Sequence, residues 1–526
     1  MIKRCLWYLF ICLSTDQVVF ADEQGQSPNL VVCISDNHAT SLLGSLDLKG
    51  SSINPTPQLT RIIQSGFSHP LAYCTNSNSG KTAFPLLSGL PKHDRMKQVP
   101  GKELLPEYLN STGYECAFFG SWTSSKDPQD FGFSSWQILK DSQIFFNPEI
   151  KSSSRNQIIE GHTTDVITDL AIRWLKRRGN NKKPFFMLVS YQATQRPWIP
   201  PVRMISKYNN EWFTTPDNFF TDFSERTPAN KYQQMNIYRD LDPQHDLFLH
   251  NRSDKNITDT DISILEKNIN SMNDEQKSAW TLSWKPQNEA FARESPEEDA
   301  LAIFKYQRFL KNYLRCLLAL DENIGRLFDS TKDVSNSQSY FMYLSERGSF
   351  TGEFGWFGNQ WMYEPSSRIP FIFSSINGSK PSPFDPNKPI VDTDFYQFIK
   401  NLCGTLKDEK NTGSNEVYNL ISPDKDIYFT QNIYPGKYHV AHHHGLRKGK
   451  YKIIHYHSFN EWEFYDLEDD PNEEKNLVTS PDLKETIREY RDLLKQAAES
   501  SNYSLHKKEF PEDWKRIQRS PDKKTR

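Results

Sequence analysis

A chain of 526 residues exceeds what one small core needs, so one large domain with a smaller companion is expected. With 25% charged residues, a mean hydropathy of -0.71 and one short apolar run near the N-terminus, no membrane span is expected. The net charge of -3 leaves no electrostatic footprint for nucleic acid, and acidic neighbours dilute the basic tail after Leu505.

Residues 1–21 have the layout of a secretory signal peptide. Lys3 and Arg4 supply charge, Leu6 to Leu13 an apolar run too short for a membrane helix, and Val19-Phe20-Ala21 a small-residue cleavage site. The mature chain is therefore expected to begin near Asp22, in a secreted or periplasmic protein. Cys33, Cys74, Cys116, Cys316 and Cys403 remain, an odd number without a CxxC, which argues against a zinc site or a dense disulfide framework.

"PNLVVCIS" (Pro28 to Ser35) is a nearly continuous apolar run bounded by turn residues, as in a strand buried on both faces of a parallel sheet, and it ends on Asp36. "ECAFFG", "PFFMLVSY", "SYFMYLS" and "IPFIFSS" repeat the pattern. Helical periodicity lies between them at Leu59 to Ser65, Leu104 to Thr112, Thr164 to Arg177 and Ala300 to Phe328. Strands alternating with helices predict an α/β doubly wound sheet, whose working residues gather at the carboxyl ends of its strands. Residues 203–300 turn polar with scattered aromatics and no clear period, which reads as a long surface insertion. It either shapes a cleft or decorates the surface. The large domain is placed at 28–421. From 422 to 505 short strands ("DIYFTQN", "KYKIIHYH", "WEFYDLE") precede one helix, Ser480 to Glu499, with Ser480 as its cap, and 506–526 is a polar tail.

The segments "PNLVVCISDN", "TPQLTRIIQSG", "LLSGLPKH", "GYECAFFGSW", "PFFMLVSYQATQRPW", "LDENIGRLF", "YLSERGSFTGEFGWFGNQWMYEPSSRIPFIF" and "YDLEDDPNEEKNL" occur in the order and spacing of the sulfatases. The chain resembles that family from about Pro28 to Ser500. The resemblance implies an alkaline-phosphatase-type α/β/α sandwich with a mostly parallel sheet and a smaller C-terminal sheet-and-helix subdomain. It also implies sulfuric ester hydrolysis. That chemistry needs a formylglycine made from Cys or Ser within C/S-x-P/A-x-R, a calcium ion on acidic and amide oxygens, and Lys, His and Arg to carry developing negative charge.

Carried over residue by residue, the family pattern is largely replaced. The nucleophile position falls on Ser79, but the Pro and Arg that follow it correspond to Lys81 and Ala83, so the maturation signal is absent and serine is expected to stay unmodified. An unmodified serine lacks the aldehyde hydrate's route for releasing sulfate. The acidic pair of the metal site becomes Asp36 and Asn37, and its later acidic and amide partners become Glu346 and Arg347. Asp36, Asn37 and Glu346 offer oxygens, whereas a guanidinium has no lone pair and stays charged. A fixed cation about 4 Å from a divalent one repels it by about 8 kcal/mol at an effective dielectric near 20. Arg347 is therefore expected to replace the metal, bridging Asp36 and Glu346. The family's "GKWH" becomes Gly120-Ser121-Trp122-Thr123, its "PH-x-P" becomes Thr194-Gln195-Arg196-Pro197 and its "GK" becomes Gly358-Asn359, which removes two Lys and two His.

The expectation is a pseudosulfatase that binds a sulfated carbohydrate or another small anion and turns it over slowly or not at all, with no cofactor. The alternative is an active ester hydrolase with calcium and a rearranged site around Ser79, Lys81, Asp36 and Glu346. A third is an interaction protein using the insertion. "NSGKT" (Asn78 to Thr82) ends like a P-loop, but that motif demands glycine where Thr75 stands. Lys81 is either solvated or helps hold an anion beside Arg347. The "HVAHHHG" histidines (His439, His442, His443, His444) resemble a metal box, although a surface or structural role is the commoner fate. Trp356, Phe357 and Trp361 either stack on a sugar ring or pack in the core.

Overall fold

The computed structural model describes residues 27–48, 51–76, 84–91, 103–179, 181–223, 226–249, 259–294, 296–334, 337–404, 426–431, 438–457 and 459–501. The expected signal peptide, Ser79, Lys81, Ala83 and the polar tail lie outside these residues.

Nine strands form the main sheet: β1 (Asn29–Ser35), β2 (Gly66–Ser68), β3 (Glu115–Gly120), β4 (Ser135–Leu139), β5 (Glu149–Ser152), β6 (Asn156–Ile158), β7 (Phe185–Ser190), β8 (Ser339–Ser345) and β9 (Phe371–Asn377). Their order is β2-β9-β8-β1-β7-β3-β4-β5-β6. β8, β1, β7, β3 and β4 run parallel, and antiparallel pairs close both edges. Every residue of β1, β7 and β8 is buried, which is why these stretches read as continuous rather than alternating apolar runs. Each fully buried Val, Leu or Ile contributes roughly 1.5–3 kcal/mol of transfer free energy.

α1 (Pro57–Ile63), α2 (Leu105–Ser111), α3 (Thr163–Arg178), α6 (Glu298–Val334) and α7 (Asp394–Gly404) pack around the main sheet, and α4 (Asp259–Ser271), α5 (Asp274–Glu294) and α8 (Lys484–Ser500) pack elsewhere. Within 203–300, where no period was legible, α4 and α5 build a second core. Trp280, Trp284, Leu265 and Met272 pack there on Phe145, Phe146, Ile199 and Ile205 from the loops after β4 and β7. The described part of the insertion is thus a packed layer over the strand ends. The helix read as Ser480 to Glu499 begins instead with a 3-10 turn, Pro481–Leu483, and Ser480 makes no side-chain cap bond.

The smaller sheet has four antiparallel strands, β10 (Ile427–Gln431), β11 (His443–Lys448), β12 (Tyr451–Tyr456) and β13 (Glu461–Asp466), in that order. Leu446, Ile453 and Phe464 on one face meet Ile487, Tyr490 and Leu494 of α8. Phe429, Ile454, Tyr456 and Tyr465 on the other join the main core. A buried Lys452 ties the two units, its Nζ 2.8 Å from Glu364 Oε1 and 2.7 Å from Glu473 Oε1. All five cysteines from Cys33 to Cys403 are buried free thiols, and no helix among the described residues is long and apolar enough to cross a membrane.

Candidate active site

Register decides where the site lies. Ser35 pairs with Ser345, and Ile34 with Ser190, so β1, β7 and β8 stop at one level and their following residues converge. Asp36 N–H donates to Ala193 O at 2.9 Å, and Glu346 N–H to Ser35 O at 2.9 Å. Gly120 ends β3 at φ 114, and a Cβ there would stand 1.9 Å from Ser190 O, so only glycine lets these two strand ends close up.

Arg347 follows Glu346 and turns inward, with its side chain 2% exposed. Its Nε donates to Asp36 Oδ1 at 2.9 Å and to Asn37 Oδ1 at 2.7 Å, and its Nη2 donates to Asp36 Oδ1 at 2.5 Å. Burial opposes the charge, but the carboxylates of Asp36 and Glu346 outweigh it and hold the guanidinium above its ordinary pKa. Asn359 Nδ2 donates to the same Asn37 Oδ1. Among the described residues the hydrogen bonds of Arg347 go to Asp36 and Asn37, while Glu346, half-buried alongside, acts on it through its charge. The expected bridge is corrected to that extent.

Asn37 has φ 66, a left-handed conformation that asparagine tolerates, and its carbonyl is gripped by Thr194 Oγ1 at 2.9 Å and by the Tyr313 hydroxyl. His38, next in sequence, is fully buried with Nδ1 2.6 Å from the Tyr343 hydroxyl, while Nε2 has no hydrogen-bond partner among the described residues. Burial pushes its pKa down to about 3, so the ring is neutral. His38, Tyr313 and Tyr343 were not among the expected site residues. His38 directly follows Asp36 and Asn37 and was open to suspicion, whereas Tyr313 arrives from α6 and Tyr343 from β8.

The other expected positions follow β3 and β7. Ser121 is buried, with its N–H on Ser190 O at 2.9 Å, and Thr123 is exposed. Gln195 is half-buried in a turn whose N–H donates to Gln192 O at 2.9 Å. Its neighbour Arg196 is clamped in two parallel bonds to Asp246, at 2.6 Å and 2.7 Å. Asp246 lies in the insertion, is fully buried, and is held below its usual pKa because Arg196 outweighs burial. Trp356, Phe357 and Trp361 are fully buried core residues, which removes the sugar-stacking option. The chain before residue 77 is anchored by two residues: Thr75 donates to Asp392 through N–H (3.2 Å) and Oγ1 (2.9 Å), and Asn76 Nδ2 donates to Thr430 Oγ1 at 3.1 Å. Burial raises the Asp392 carboxyl to about 6 despite those bonds.

Calcium, which the resemblance implies, can be tested against this donor set. Asp36 Oδ1 and Asn37 Oδ1, the oxygens a cation would take, already accept from a buried permanent cation. The residues present do not fit the ion, and no calcium-assisted step follows from them.

A family model described as Sulfatase matches residues 28–404, and one described as N-sulphoglucosamine sulphohydrolase, C-terminal, matches residues 352–500. An N-acetylglucosamine-6-O-sulfatase of Bacteroides thetaiotaomicron is 28% identical over 498 residues, spanning 90% of this chain and 87% of that protein. An arylsulfatase of Clostridium perfringens is 20% identical over 523 residues, spanning 89% of this chain and 93% of that one. A protein solved in complex with its substrate, D-glucosamine-2-N,6-O-disulfate, superposes with a TM-score of 0.78 at 27% identity, covering 92% of this chain and all of the other.

Proposed function

We propose that this chain, which belongs to the sulfatase family, binds a sulfated glucosamine at the carboxyl ends of β1, β7 and β8 and hydrolyses it slowly or not at all. The observation that carries the reading is the Arg347 guanidinium on Asp36 and Asn37. It puts a fixed positive charge where the family's chemistry wants a divalent ion, and a guanidinium attracts sulfate without polarising it as a metal does. The substrate class is supported by the relative named as an N-acetylglucosamine-6-O-sulfatase and by the neighbour solved with a disulfated glucosamine.

The test pairs two measurements on the purified chain: calorimetric binding of D-glucosamine-2-N,6-O-disulfate, and release of inorganic sulfate from it with and without added calcium. Binding without release, unchanged by calcium, is expected. Stoichiometric calcium together with turnover abolished by Ser79→Ala would establish the second reading, an active hydrolase with a rearranged site. That reading draws on the oxygens of Asp36 and Glu346 and on the names of the relatives. Export belongs to the proposal too, supported by Lys3, Arg4 and the apolar run after them. N-terminal sequencing of protein recovered outside the cytoplasm should begin near Asp22, and an intact Met1 would contradict it.

A further inference from the structure

We infer that His444, His455 and His457 form a binding site for one late first-row divalent metal ion, zinc foremost, on the C-terminal sheet and apart from the strand-end site. The "HVAHHHG" run divides on folding. His443 points into the main core, where it lies parallel to Trp361 and Phe429, while His444 faces the opposite side of the sheet. There it is paired with His455 across β11 and β12, and His455 is paired in turn with Trp462 of β13. His457, two residues past His455, falls on the same face by strand alternation.

One ring nitrogen from each of the three lies within 4.8 Å of the other two. His444 Nε2 and His455 Nδ1 are 3.3 Å apart. Zinc–imidazole distances of about 2.0–2.1 Å put the edge of a tetrahedral site at about 3.3–3.4 Å, so that pair is already at ligand spacing. The third ring nitrogen lies within 4.8 Å of both. The Tyr428 hydroxyl, 3.1 Å from His444 Nδ1, stands where an outer partner fixes a ligating imidazole and leaves Nε2 for the metal. Trp462 stacks on His455 at 3.9 Å and 12°, which fixes that ring's plane. The Arg491 guanidinium lies over the Trp462 ring at 4.7 Å.

Imidazole nitrogen without carboxylate selects zinc, copper or nickel and rejects calcium. Burial first, then neighbouring histidines or Arg491, lowers the pKa to about 2 for His444, about 4 for His455 and about 3 for His457. The lone pairs a metal needs are therefore present at neutral pH. Three protein ligands leave a fourth position for water. Nothing in this inference depends on whether the strand-end site is active.

The test uses the full chain, stripped with a chelator and titrated with zinc against a chromogenic competitor. One zinc per chain is expected for the unaltered protein. His457→Ala should weaken binding by at least about tenfold, the lower end of what even an outer partner of a metal site is worth. His442→Ala, outside the trio, should bind as the unaltered protein does. Should His457→Ala not fold, His455→Phe removes a ligand while keeping a ring on Trp462. Cobalt(II) in place of zinc should give tetrahedral d–d absorption that the ligand variants lack. The inference is overturned if the unaltered chain retains no zinc, or if removing His455 or His457 leaves zinc affinity unchanged.

Discussion

Arg347 and Asp36 are joined through two donors on one oxygen, with Nε at 2.9 Å and Nη2 at 2.5 Å, across 311 residues of chain. The pair links the end of β1 to the end of β8, and Asn37 and Asn359 complete it. Among the described residues this is where the ends of β1 and β8 are tied together by a side-chain ion pair.

Arg347→Ala removes the cation and leaves the Asp36 carboxylate without it. Without metal, the variant should lose about 3–5 kcal/mol of stability, the usual result of breaking one side of a buried pair. Calcium should then restore part of the loss, because Asp36, Asn37 and Glu346 are free to turn oxygens inward, while the unaltered protein should not respond. Thermal unfolding with and without calcium or EGTA decides it. An unaltered chain whose melting point falls on adding EGTA would contradict the assignment of Arg347.

Arg196 and Asp246 present the same physics at the seam between β7's loop and the insertion. Asp246→Ala should cost about 3–5 kcal/mol in denaturant unfolding, because a largely buried guanidinium is left facing no carboxylate. The double variant Arg196→Met/Asp246→Leu should recover most of that loss. A non-additive cycle of this kind distinguishes a true pair from two independent packing defects.

Asp392 gives a dependence on pH whose sign can be worked out. Its folded pKa, about 6, lies above the ordinary value of 3.8 for an aspartate. The folded state therefore holds the proton longer, and the contribution is fully present below about pH 4 and is lost as the pH rises through 6. With about 1.4 kcal/mol per pKa unit, the loss is roughly 3 kcal/mol. The stability of Asp392→Asn should not show that fall, so the gap between the two proteins should change across this window. Parallel curves would show that burial does not shift Asp392.

His443 runs the other way. Burial lowers its pKa from 6.5 to about 4, and its Nδ1 donates to Ala441 O at 2.8 Å. A depressed folded value means stability that is full above pH 6.5 and lost progressively as the pH falls toward 4, worth roughly 3 kcal/mol. His443→Phe keeps the ring between Trp361 and Phe429 and should take up about one proton fewer on unfolding near pH 5, measured by calorimetry in buffers of different ionisation enthalpy.

The sequence by itself determined the sheet and its character. Continuous apolar runs such as Asn29–Ser35 and Ser339–Ser345 have one stable use, strands buried on both faces, and the alternating helices fix the class. It also determined that position 347 offers no ligand to a cation, because a guanidinium has no lone pair to donate wherever its side chain points. What it could not determine was partnership across chain distance. That Arg347 takes Asp36 and Asn37 follows from the register pairing Ser35 with Ser345. That Arg196 finds Asp246 depends on how the insertion folds back, which its weak periodicity concealed. The histidines show the division most plainly: their spacing marked a cluster, but the pleat of β11 sent His443 into the core and His444 to the other face, and only cross-strand pairing brought His455 and His457 beside it. Residue type is local information, whereas neighbours are set by a tertiary arrangement that one strand's pattern does not contain.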